Sequence, residues 1–476
     1  MEQALDVVRR SLATVTAEHQ NLTLRPLSGA VPPTLSGTLY RNGPGRLERG
    51  GQAYGHLFDG DGHIMRFHFE GGTVTYSNRF VRTAGYVAEE EADALLYRGF
   101  GTNLPGGLRA NALRMRFKNA ANTNVIAHGD DLLALWEGGL PHRLDPATLE
   151  TKGAFDFDGQ LENRSSRLDA WLAPKLPFSA HPCFDDETGE LFNFGMSVGR
   201  VPRLFTYRVG PDGVMDEPRA FVLDRMSFVH DFALTDRYLV FLLPPADFDV
   251  PRALLGLSTP AASLRLDTHR PMEALLVPRK GGLPIRMEAA SGFVFHLGQG
   301  FDRDDGAVVL DAVRFEEYPP LDNVESLYEQ PRPGIIPRPV RLVLDPASGR
   351  ASCEPWTDRG AELPTVRPGG RGPRRFVYSV GAPADRAVPF FTAVQKLDTH
   401  NGRMIARDFG YDLPGEPLFA PRGDAEDDGW LVFTVFRAEA ERTELVVLEA
   451  GDLSEVAVLP LPHSVPVGFH GTFRPR

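Results

Sequence analysis

From Gly37 onward, apolar and polar residues alternate in short runs separated by turn-forming pairs. The run His63-Ile64-Met65-Arg66-Phe67-His68-Phe69 follows Asp59-Gly60-Asp61-Gly62. Two successive Asp-Gly pairs are strong turn signals, and the alternation after them reads as a strand. A unit then recurs, in which a strand leads to a second strand that ends in Leu-Asp and a polar turn. It is visible at Leu132–Trp136 with Arg143-Leu144-Asp145-Pro146, at Arg341-Leu342-Val343-Leu344-Asp345-Pro346 and at Gln395-Lys396-Leu397-Asp398-Thr399. A looser copy lies at Leu445–Asp452, and further strand pairs fit Glu190–Tyr207, Tyr238–Leu243 and Ala307–Phe315. Strand–turn–strand units with a period of roughly 40 to 60 residues predict an all-β fold of the β-propeller type, with two sandwich domains as the alternative. The copies are too degenerate to count blades.

Two stretches break this pattern. Residues 1–36 combine a predicted helix over Leu5–Ala17 with a Pro-rich lead-in. Between Glu89 and Phe117, apolar residues (Leu95, Leu104, Leu108, Leu113 and Met115 among them) are interspersed with Arg98, Arg109, Arg114 and Arg116. This predicts short helices and loops laid over the sheets, either packed on the propeller face or meeting an anionic membrane surface.

The chain has 476 residues, long for one core unless it closes by radial repetition. Its 48 Gly and 40 Pro have no collagen-like or low-complexity period and suit many tight turns. A net charge of −12 argues against a nucleic-acid partner. Cys183 and Cys353 stand in unrelated settings, so no disulfide framework is expected. The first residues have no basic-then-apolar leader pattern, and there is no apolar run long enough to span a bilayer. A reduced, cytoplasmic setting is expected.

Four of the 13 histidines stand out by context: His181 in Ser179-Ala180-His181-Pro182, His230 in Phe228-Val229-His230-Asp231, His296 in Phe293-Val294-Phe295-His296, and His470 in Gly468-Phe469-His470-Gly471. They lie 49, 66 and 174 positions apart, hence on different strand units that could converge on one axis. No cysteine or carboxylate has ligand spacing to them, which excludes zinc-finger and HExxH patterns. An all-imidazole set suits Zn, Cu, Fe or Ni, and does not choose among them. Glu137, Glu362 and Glu416 sit among apolar residues, where a carboxylate needs a partner unless it reaches solvent at a turn. Metal-bound histidines commonly give their second N–H to such a group.

Taken in order, Tyr40-Arg41-Asn42-Gly43-Pro44, Phe58-Asp59-Gly60-Asp61-Gly62, Ala121-Asn122-Thr123-Asn124, Ala180-His181-Pro182, His230-Asp231-Phe232-Ala233, Gly415-Glu416-Pro417 and Gly468-Phe469-His470-Gly471 resemble the carotenoid cleavage oxygenase family. The matches run from about residue 37 to 473, nearly the whole chain. The resemblance implies a seven-bladed β-propeller over residues 37–476, with a lid of short helices and loops on its top face. It also implies one Fe(II) per chain, and cleavage of a conjugated carbon–carbon double bond of a hydrophobic polyene by O2 into two carbonyl products, retinal among the kinds expected. By the same resemblance His181, His230, His296 and His470 are the iron ligands. Glu137, Glu362 and Glu416 would hold His230, His296 and His470 respectively, leaving His181 without a carboxylate. Trp136, Phe228 and Phe295 would line the substrate tunnel, and no acid, base or nucleophile is expected beyond the iron centre. The chain departs from the family at His296-Leu297-Gly298-Gln299-Gly300-Phe301-Asp302, where Asn and Glu usually occupy the places of Gln299 and Asp302. Three rival activities stay open: cleavage of stilbenes, with Lys118 serving a phenol, retinoid isomerisation, and a non-catalytic propeller with a structural metal.

Overall fold

Seven antiparallel sheets ring a common axis in the computed structural model, which describes residues 2–114, 117–165, 167–197, 201–318, 335–369, 372–382 and 390–476. The second to sixth blades are built from strands in chain order, the fourth with an insertion between its second and third, and start on the axis with Asn124–His128, Cys183–Asp185, Ala233–Leu234, Phe293–Asp302 and Ala361–Val366. The seventh starts at Leu418–Pro421. The first blade is completed from both ends of the chain: Gly471–Pro475 is its innermost strand and pairs with Gly37–Arg46, which leads outward to Asp61–Glu70 and Thr73–Phe80. This pairing closes the ring.

The recurring Leu-Asp element has one structural meaning. In the second, fifth and sixth blades it is the turn from the third strand to the fourth. Asp145 accepts from the backbone N–H groups of Ala147 and Thr148, Asp345 from Ala347 and Ser348, and Asp398 from His400. A short carboxylate that bonds its own backbone two or three residues on pre-forms the turn.

Neighbouring blades pack face to face, so the apolar core is divided among the gaps between them. Leu39, Phe67 and Tyr76 of the first blade meet Trp430, Val432 and Val447 of the seventh, all essentially buried. The middle strands are covered on both faces, which is why Gly429–Arg437 is buried at eight consecutive positions and does not alternate.

Part of the N-terminal lead-in belongs to the sheets. His19–Leu24 adds an outer strand to the first blade, and Ser28–Gly29 adds one to the seventh. The first helix spans Glu2–Ser11 and stops six residues short of the predicted end. Its Val7 and Val8 pack on Leu413 and Phe436, and beyond it the Val15 N–H bonds to the Gly45 carbonyl, drawing that stretch out of helix.

Two insertions cover one end of the axis. One runs from the first blade to the second and carries helices Ala84–Ala92 and Leu108–Asn111. The other interrupts the fourth blade and carries Val250–Leu254 and Pro260–Ser263. Buried Arg98 ties them together by donating to the carbonyls of Ala253 (2.9 Å) and Ser258 (3.1 Å), and Leu113 N–H reaches the Leu254 carbonyl. Met115 and Arg116 lie outside the described residues.

Candidate metal centre

The innermost strands enter the axis from the lid end, and the four histidines stand at or near that entry. His470 precedes Gly471–Pro475, His181 and His230 precede Cys183–Asp185 and Ala233–Leu234, and His296 is the fourth residue of Phe293–Asp302. Glu362 and Glu416 come in the same way on the sixth and seventh blades. Residues hundreds of positions apart therefore meet: one ligand atom from each histidine lies within 4.8 Å of the others.

His470 is anchored by its backbone. Its carbonyl accepts from Asn42 N–H at 2.8 Å and its N–H donates to Thr123 O at 3.1 Å. The flanking glycines allow that approach, since a Cβ on Gly471 would lie 2.2 Å from the Tyr40 carbonyl oxygen.

The carboxylates set the direction of the rings. His296 Nδ1 is 2.5 Å from Glu362 Oε2, and His470 Nδ1 is 2.9 Å from Glu416 Oε1. A carboxylate beside Nδ1 holds the proton there and leaves Nε2 as a bare lone pair. The two Nε2 atoms face each other at 3.2 Å. Such lone pairs repel unless a cation lies between them, and two nitrogens bound to one ion at about 2.1 Å would be roughly 3.0–3.4 Å apart. His181 Nε2 is buried with no hydrogen-bond partner. The donor set fits a transition-metal ion.

Glu137 is placed differently from the other two carboxylates. Its Oε1 lies 3.4 Å from His230 Nδ1 and 3.9 Å from His181 Nε2, and makes no hydrogen bond. Ser179 and the Ala180 backbone hold the carboxyl instead. Burial pushes the Glu137 pKa well above the ordinary carboxylate range.

Electrostatics act differently on the four imidazoles. Burial, helped by the neighbouring rings, drives His181 and His230 well below the usual histidine pKa, so both are neutral. At His296, burial works against a proton but Glu362 outweighs it and raises the pKa. Burial also opposes charge on Glu416, yet His470 and Arg41 hold its pKa below normal.

Two participants carry no role in the sequence reading. Arg41 is wholly buried and donates to Glu416 Oε2 at 2.5 Å and to the Phe469 carbonyl at 3.0 Å. Asp231 accepts from Leu297 N–H at 2.8 Å, pinning the fourth blade to the fifth beside His296. Both sit inside motifs that carry the family resemblance, which was the available signal.

Aromatic rings pack against the lid side of the centre. Phe295 stands edge-on to His230 with centroids 5.3 Å apart, and Phe228 stacks with Phe100 of the lid and with Phe293. Trp136 lies over the Gly138–Gly139 backbone, apart from this cluster: a Cβ on Gly138 would come within 3.0 Å of its ring. The residues at the family departure point the other way and join blades. Gln299 bridges Asp311 and the Arg374 backbone, and Asp302 accepts from Arg237 N–H.

A seven-bladed propeller with an imidazole cluster on its axis defines the class, and the chain belongs to the carotenoid cleavage oxygenase family. Residues 12–475 match the family described as retinal pigment epithelial membrane protein. The chain is 36 % identical over 462 residues to apocarotenoid-15,15'-oxygenase of Synechocystis sp., covering 94 % of this chain and 92 % of that protein. It is 30 % identical over 481 residues to isoeugenol monooxygenase of Pseudomonas nitroreducens, covering 94 % of each. Cobalt-substituted Synechocystis ACO superposes with a TM-score of 0.91 at 34 % identity, over 99 % of both chains.

Proposed function

We propose that this protein is a non-haem Fe(II) dioxygenase that cleaves a conjugated double bond of a carotenoid or apocarotenoid. The observation that carries this reading is the facing pair of Nε2 atoms, each backed by a carboxylate at Nδ1, beneath a shell of phenylalanines. His181, His230, His296 and His470 would hold one Fe(II) per chain, and the bound ion would supply the activation of O2 that no side chain here can. Glu362 and Glu416 orient two of the ligands, while Glu137 is the carboxylate nearest to His230. Phe228 and Phe295, with Trp136 to one side, would wall a flat polyene and stabilise cationic character developing along it. In the overall reaction the C=C bond breaks and each carbon takes one oxygen atom of O2, so two carbonyl products form without an external reductant.

In the stilbene-cleaving reading Lys118 would serve a phenol. An ammonium has three donors, and here Asp61 (2.9 Å), Glu89 (2.9 Å) and the Tyr54 hydroxyl (2.6 Å) take them all. Lys118 is also buried, so it is a structural cation at the base of the lid. The test is to supply Fe(II)-loaded protein with an apocarotenal, β-carotene and a hydroxylated stilbene, with and without O2. Oxygen-dependent bleaching of a carotenoid, with shorter aldehydes appearing, is expected. Loss of the stilbene alone would contradict the assignment.

A peripheral membrane contact completes the proposal. No described helix is long and apolar enough to cross a membrane. The lid insertions do expose Leu108, Leu113, Leu255 and Leu257, with Arg109, Arg114 and Arg252 also exposed alongside. Leu104, by contrast, is buried against Tyr54 and Leu95 and belongs to the lid's own core. An apolar patch with basic neighbours suits an anionic bilayer surface, where a polyene would be found. The double substitution Leu108→Asp and Leu113→Asp is expected to weaken binding to vesicles containing phosphatidylglycerol by more than about tenfold. Unchanged sedimentation with vesicles would contradict this contact.

A further inference from the structure

A cavity of about 370 Å³ reaches the imidazole centre from the end of the propeller opposite the lid. His181, His296, His470 and Glu416 form its inner end, and the exposed residues Asp186 and Asp236 belong to its outer end. The direction follows from the fifth blade's innermost strand. Phe293 and Phe295 precede His296 and pack towards the lid, whereas Leu297 to Asp302 follow it and line the cavity. Six residues of strand span roughly 20 Å.

The lining is polar and acidic. Among the described residues, six carboxylates (Asp185, Asp186, Asp231, Asp236, Asp302 and Glu416) and three guanidiniums, from Arg279, Arg367 and Arg374, line it. Within the lining Arg279 pairs with Asp185, Arg367 donates to the carbonyls of Gly423 and Ala425, and Asp302 pairs with Arg237. At the inner end His181 Nε2, buried and unpartnered, borders the same space.

The opposite approach is closed to a hydrated ion by its chemistry. There Phe58, Phe100, Phe228, Phe293 and Phe295 form a continuous aromatic shell with neighbouring centroids 4.5–6.5 Å apart. Stripping water from even a singly charged ion in a low-dielectric setting costs on the order of 20 kcal/mol in the idealised limit. Carboxylate oxygens along a wet path can replace that water step by step.

We propose that the metal ion enters through this axial channel, drawn in by Asp186 and Asp236, while the lid side serves the apolar substrate. The proposal rests on the metal-centre reading above. The channel is then the route by which the protein acquires its ion, and it keeps ion traffic apart from substrate traffic.

The test follows Co(II) uptake by chelator-stripped protein, by visible absorption and by metal analysis of samples desalted at timed intervals. For the Asp186→Asn, Asp236→Asn double variant, uptake at low ionic strength is expected to be about 5- to 10-fold slower than wild type. The difference should shrink at about 1 M salt, where screening is nearly complete. Final cobalt content should equal that of wild type, because neither residue touches the ion. A Leu113→Asp variant on the lid face should load at the wild-type rate. Wild-type uptake by the double variant, or altered uptake by Leu113→Asp, overturns the route. A wild-type chain that takes up no cobalt overturns the metal centre itself, and the route with it.

Discussion

Replacing His470 with alanine is expected to strip the metal from the centre and abolish polyene cleavage while leaving the propeller folded. Apparent binding free energies of roughly 10–16 kcal/mol for four-ligand sites place several kcal/mol on each ligand. Losing one should therefore weaken affinity by at least about 100-fold. The fold should survive because Glu416, deprived of the imidazole, keeps Arg41 and the Gly471 N–H at 3.1 Å. The Gly471–Pro475 strand likewise keeps its backbone pairing with the first blade. Metal analysis after desalting, alongside a thermal melt, separates the two effects. An His470→Ala protein that retains a full complement of iron would show that this ring is no ligand.

The second large effect concerns stability. Arg41→Met is expected to destabilise the protein by about 3–5 kcal/mol, the range for breaking a buried ion pair from one side. Arg41 is fully buried, and its pair with Glu416 is 2.5 Å long. Burial alone lowers the Arg41 pKa, so the pair persists because each charge answers the other. Without the guanidinium, Glu416 would keep only His470 and the Gly471 N–H, and the approach of the seventh blade to the first would lose its charged cross-link. Pairing Arg41→Met with Glu416→Gln removes both charges. The double variant should then be less destabilised than the sum of the two single variants by about 2 kcal/mol or more, read from denaturant midpoints. Strict additivity would mean that the charges do not stabilise each other.

How much of this was legible depended on distance along the chain. The Leu-Asp turns at Asp145, Asp345 and Asp398 could be read because each is a local device, completed within three residues. The four histidines could be picked out by their small and apolar neighbours, and the family pattern assigned them a shared role. The partner of a residue 400 positions away has no local signature. Nothing in the periodicity near Gly471–Pro475 announces that it pairs with Gly37–Arg46, nor that Arg41 reaches Glu416. The lid shows the same limit. The stretch from Glu89 to Phe117 stood out by composition, but its partner at residues 246–266 did not, because Arg98 joins them through backbone carbonyls that any sequence could supply. Leu104 and Leu108 look alike in sequence, yet one lies in the lid's core and the other on its surface.

Gln299 and Asp302 illustrate the converse. They depart from the family pattern close to a proposed ligand. In the structure they face away from the aromatic shell and join neighbouring blades through Arg374 and Arg237, while Asp311 of the same blade holds the Gln299 amide. Their lengths differ from the usual Asn and Glu, and the bonds they make are those that a blade junction requires.

If one Fe(II) on four imidazoles makes this propeller an oxygenase of polyenes, activity must follow the iron. An anaerobic titration of metal-free protein with Fe(II), each point then exposed to O2 and an apocarotenal, measures this. The rate of polyene loss should rise linearly with added iron and level off at one equivalent per chain, with the His470→Ala protein as the blank. Cleavage by the metal-free chain, or a rate indifferent to bound iron, would contradict it.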